Sequence, residues 1–76
     1  MSFVYAIKSL TEGRIYIGHT QNIEDRLKYH NSGYVKSTAK YRPWILSALK
    51  EVKNKNEAIW IERELKKNQK ENVLNG

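Results

Sequence analysis

The chain has 76 residues, 39% of them apolar, with eight aromatics and a formal net charge of +6. That length sits near the lower limit for one unstapled hydrophobic core, so a single domain over residues 1–76 is expected, with its core at about 3–67 and a polar tail at 68–76. Cysteine is absent, which excludes disulfides and thiolate metal sites, and no run approaches the roughly 20 apolar residues of a membrane span.

The opening residues lack the charged region and cleavage site of a signal peptide, so an intracellular, cytoplasmic protein is expected. Charge is unevenly placed. From Arg26 to Lys50 there are six basic residues and no acid, a one-sign segment that suits a polyanion.

In chain order, Phe3 to Lys8 reads as a first strand and Arg14 to Gly18 as a second. The short polar connection ending in Gly13 makes them an antiparallel hairpin. Alternation puts Ile15 and Ile17 on one side of the second strand and Tyr16 on the other. Asn22 is a good helix N-cap with Glu24 and Asp25 behind it, and Ile23, Leu27 and His30 follow at helical spacing. Gly33 supplies the stop, and Arg26 and His30 project from one side of this helix.

The segment from Tyr34 to Pro43 has no clear period and reads as a loop or a short irregular helix. Trp44 to Val52 is ambiguous: Leu46, Leu49 and Val52 suit a helix, while the preceding Pro43 and the Trp-Ile start suit a strand. Asn54 and Glu57 resemble a capping box for a last helix to about Lys67, with Ala58, Ile61 and Leu65 as its buried stripe. Glu62 falls inside that stripe, where a carboxylate needs a partner. Trp60 falls off it and marks either packing under a frayed tail or a contact surface.

Several polar residues therefore stand where a fold alone would not ask for them. Singly, each has an ordinary explanation: sheet packing for Tyr5 and Tyr16, a surface position for Arg26, a helix-end histidine for His30. In order, however, Phe3-Val4-Tyr5, Tyr16-Ile17-Gly18, Arg26 with His30-Asn31, Glu57-Ala58 and Glu62 resemble the GIY-YIG nuclease superfamily, and in particular its small single-domain bacterial members. The first motif departs from the pattern, since Phe3 stands where the family has glycine.

The resemblance implies an α/β (α+β) fold, a small three-stranded antiparallel sheet flanked by helices with Trp44 to Val52 as third strand. It implies metal-dependent hydrolysis of phosphodiester bonds in DNA, with branched or flapped substrates and a role in DNA repair among the possibilities. Tyr5, Tyr16, Arg26, His30 and Glu62 would be catalytic, with Glu62 holding one Mg²⁺ or Mn²⁺. His19, Lys28, Lys36, Lys40 and Arg42 would bind nucleic acid, and Asn72 matches a C-terminal family asparagine.

The residue chemistry agrees. Mg²⁺ keeps most of its waters and is often held by one carboxylate plus substrate phosphate, whereas the eight acids here are too scattered for a two-metal cluster. Arg26 offers a permanent forked donor to a phosphate. Tyr16 is the favoured general base, although its ordinary pKa near 10 must be lowered, and His30 is the rival. A binding module of the same fold without useful activity and an RNA-directed nuclease are the alternatives.

Overall fold

The computed structural model describes residues 1–67 and the backbone of 68 and of Val73–Leu74. Among these described residues, four strands and three helices follow in the order β1 (Ser2–Ser9), β2 (Ile15–Thr20), α1 (Ile23–Asn31), α2 (Lys36–Ala39), β3 (Trp44–Val52), α3 (Lys55–Asn68) and β4 (Val73–Leu74). The sheet order is β3-β1-β2-β4, with β1 antiparallel to both its neighbours. The antiparallel three-stranded sheet flanked by helices is thus as expected. Val73 and Leu74 add two residues of strand parallel to β2, Val73 opposite Ile15 and Leu74 opposite Tyr16; the rest of the expected polar tail beyond 68 lies outside the described residues.

The central strand β1 reads as a nearly continuous apolar run because it is covered on both faces. Val4 packs with Ile17, Val52 and Ala58 beneath α3, while Tyr5 and Ile7 pack with Trp44, Ile23 and Leu27 beneath α1. Two half-cores therefore lie back to back across one sheet. The hairpin between β1 and β2 turns at Gly13, whose φ of 69° suits a residue without Cβ. Buried Ser9 fastens this turn: its hydroxyl accepts from the amides of Thr11 and Glu12 and donates to the carbonyl of Tyr41 at 2.6 Å.

α1 starts as the sequence predicts, with the Asn22 side chain accepting from the Asp25 amide at 3.1 Å, and ends before Gly33 at φ 86°. β3 contains the one irregularity of the sheet. Ala6 pairs with Ala48 and Ile7 with Leu46, so Ser47 is an extra residue, a β-bulge. In a regular strand Trp44 and Val52, eight residues apart, would share a face. The bulge shifts the phase by one, placing Trp44 in the α1 half-core and Val52 in the α3 half-core. It also explains the ambiguous pattern, since a strand with a phase break has no clean period of two.

One expectation on α3 needs correction. Ala58 and Ile61 pack on the sheet as expected, but Leu65 is 39% exposed and does not extend their stripe.

Candidate active site

Tyr5 and Tyr16 stand on the α1 face of the hairpin, in the register that sets Tyr5 opposite Gly18 and Ile7 opposite Tyr16. Their rings stack with centroids 6.2 Å apart. Gly18 makes this possible: a Cβ there would come within 2.7 Å of the Tyr5 oxygen and 3.1 Å of the Tyr16 ring.

The His30 ring closes the cluster from α1, 4.7 Å from Tyr16 and 6.0 Å from Tyr5. Both of its nitrogens are used. Nε2 lies 2.9 Å from the Tyr5 hydroxyl and Nδ1 lies 3.0 Å from Thr38 Oγ1. The Thr38 hydroxyl is directed to the carbonyl of Val35 at 3.4 Å, so the imidazole donates from Nδ1 and accepts the Tyr5 proton at Nε2. Burial, helped by the Arg26 cation, pulls the His30 pKa down to about 4, which keeps the ring neutral at pH 7. The neutral imidazole is thus held between Thr38 and the Tyr5 hydroxyl.

Burial pushes both phenols up. For Tyr5 the charge of Tyr16 adds to this, Arg26 opposes it and Glu62 reinforces it. For Tyr16 Glu62 reinforces it and Arg26 opposes it. Neither phenol is poised to ionise in the bare protein, contrary to what a base assisted by Arg26 alone would need. Arg26 itself is half-buried, with its guanidinium 5.5 Å from the Tyr29 ring. Among the described residues no carboxylate forms an ion pair with it, so its charge is open to an anion.

Glu62 comes from the other layer. Its Oε1 accepts from His19 Nδ1 at 2.7 Å and its Oε2 from Lys66 Nζ at 3.2 Å. His19 follows Ile15 and Ile17 on the α3 face of β2, which brings it to Glu62. An open cleft of about 620 Å³ beside this cluster is lined by residues including His19, Arg26, Tyr29 and Lys55.

The remaining predicted residues separate. Lys28 lies on the opposite stripe of α1, with Glu24, Leu27 and Asn31, along a different groove. Lys36, Lys40 and Arg42 are exposed around α2, where Arg42 donates from Nε to the Ala39 carbonyl at 2.7 Å. Asn72 lies outside the described residues.

Sequence reasoning missed Thr38 and Lys66 and gave Asn31, named in the family pattern, no role. Thr38 sits in a stretch without period and carries no local signal. Asn31 clamps the start of β3 through Trp44, accepting from its amide at 2.6 Å and donating to its carbonyl at 3.0 Å. Lys66 was legible, because four residues after Glu62 is the helical ion-pair spacing.

Both oxygens of Glu62 are engaged, Oε1 by His19 and Oε2 by Lys66, so a cation held there would rest on this one carboxylate and its own waters. No group of three or more potential ligands occurs among the described residues, but Glu62 presents a carboxylate whose Oε2 already faces the positive charge of Lys66, the place a competing cation would take.

Architecture and site define an α/β protein with a mixed sheet between helical layers and a polar cluster at one end of its hairpin. A family model described as the GIY-YIG catalytic domain matches residues 1–75, and the chain belongs to that family, which consists of nucleases. Comparison with curated proteins and with solved structures gave no match. No described helix is long and apolar enough to cross a membrane.

Proposed function

We propose that the chain is a divalent-metal-dependent endonuclease that hydrolyses phosphodiester bonds in DNA. The observation that supports this best is the convergence, beside Gly18 and His19, of two stacked phenols, a cation that no carboxylate among the described residues pairs with, and a carboxylate from the opposite layer.

Glu62 would hold Mg²⁺ or Mn²⁺, which when bound supplies positive charge to the scissile phosphate and offsets the carboxylate's field on the phenols. Arg26 binds the phosphate from the cleft and stabilises the charge that develops on it. Tyr16, the less buried phenol, first gives up its own proton to solvent and then, as the phenolate, takes the proton of the attacking water. Tyr5 orients Tyr16 through ring stacking and is itself fixed by His30 and Thr38. His19 aligns Glu62.

The test is nicking of a supercoiled plasmid and of branched, flapped and single-stranded DNA, each with Mg²⁺ and with chelator. Glu62→Ala and Arg26→Ala are expected to lose at least about a hundredfold in rate while keeping the fold, the scale seen when one such stabilising group is removed. Cleavage by Glu62→Ala at the wild-type rate would overturn the assignment.

A further inference from the structure

Tyr34 is 76% exposed, and Tyr29 beside it is 39% exposed. Their rings lie 5.3 Å apart, tilted by 37°. An aromatic face left in water at this level contributes little to folding, yet its mount is firm. The Tyr34 amide donates to Ser32 Oγ at 3.2 Å, and that hydroxyl donates to the Tyr29 carbonyl at 2.6 Å. Gly33 turns the chain at φ 86°, and the Arg42 guanidinium lies so close over it that a Cβ would come within 2.5 Å of Nη1. The ring is therefore held out from a braced turn.

Its location matters as much as its exposure. Tyr29 lines the cleft that Arg26 also lines, and Arg26 lies 5.5 Å from the Tyr29 ring. Arg26, Tyr29 and Tyr34 thus form a series leading out of the site, within the segment that holds six basic residues and no acid. That charge selects a polyanion over an apolar protein partner. An exposed aromatic face beside a phosphate site is what a free base stacks on, without preference for its identity. In a duplex both faces of each base are already covered by neighbours.

We propose that Tyr34, backed by Tyr29, is a stacking platform for an unpaired base next to the reacting phosphate, so that the preferred substrate carries a single-stranded stretch at the cleavage point. This rests on the nuclease reading above and names its substrate class.

The experiment measures binding in chelator, at fixed salt, to a labelled duplex and to the same duplex with a single-stranded extension. Wild type is expected to prefer the extended probe. Tyr34→Ala should weaken it roughly tenfold, within the range for loss of one stacked base, and change duplex binding less than about twofold. Tyr34→Leu keeps an apolar contact with Tyr29 but has no π face, and should behave like Tyr34→Ala. Tyr34→Trp should keep the preference. Equal loss on both probes, no preference in the wild type, or full binding by Tyr34→Leu would each overturn the platform. Because nothing is cleaved in this assay, it fails separately from the nuclease reading: Glu62→Ala decides the latter, and Tyr34 variants decide the former.

Discussion

Thr38 has no exposed surface and is, among the described residues, the only acceptor for His30 Nδ1. Thr38→Val keeps the shape but strands a buried N–H, at a cost of about 1–3 kcal/mol. For a domain this small that is a fall of several degrees or more in Tm. Because Tyr5 is held through the same imidazole, nicking should fall about tenfold as well, and Thr38→Ser should restore both. A melt and a plasmid assay on the two variants check this. His30 also sets a pH dependence. Its folded pKa of about 4 lies below the ordinary 6.5, so between these values the unfolded chain binds a proton that the folded chain refuses. Stability from this source is complete above pH 6.5 and is lost as pH falls towards 4. By pH 5 the loss should reach about 2 kcal/mol, read as a shift in urea midpoint between pH 7.5 and 5 that is absent in His30→Gln.

At the scale of elements, β3 carries the clearest lesson. Ser47 is exposed, so by burial alone it is expendable. Its backbone, however, is the extra residue that sends Trp44 and Val52 to opposite half-cores. Deleting Ser47 forces one of them into water, and each fully buried side chain of this size is worth about 1.5–3 kcal/mol. The deletion is expected to abolish a cooperative melt, while Ser47→Ala should melt within about 1 kcal/mol of wild type. This bulge is also where sequence reading ran out. The hairpin and α1 were legible because alternation, a capping Asn22 and Gly33 are local signals. β3 was not, because a one-residue phase break erases alternation, and only the family pattern assigned it a strand. The candidate site divides in the same way. Residues with a motif position, such as Tyr16, Arg26 and Glu62, could be named in advance. The bonds that occupy His30 arise from Thr38 and Tyr5, 8 and 25 residues away, and needed the fold.

For the whole molecule, the +6 charge predicts binding to DNA that weakens steeply with salt. The structure divides that charge by location. Lys36 is exposed on α2 beside the Tyr34 turn, whereas Lys28 faces a separate groove with Glu24. Lys36→Ala should reduce the slope of log Kd against log salt by about 1, the value of one phosphate contact, and Lys28→Ala should leave it unchanged. Binding titrations from low to moderate salt distinguish them.

β3 is an edge strand, and Ile45, Leu46 and Leu49 on it are 44%, 40% and 44% exposed. An apolar edge of that kind invites the same strand of another molecule to zip onto it. The extra residue at Ser47 interrupts the row of free amides and carbonyls and bends the strand locally, so a second copy cannot keep register along its length. The same irregularity that sorts the two half-cores thus also breaks the continuity of this exposed edge.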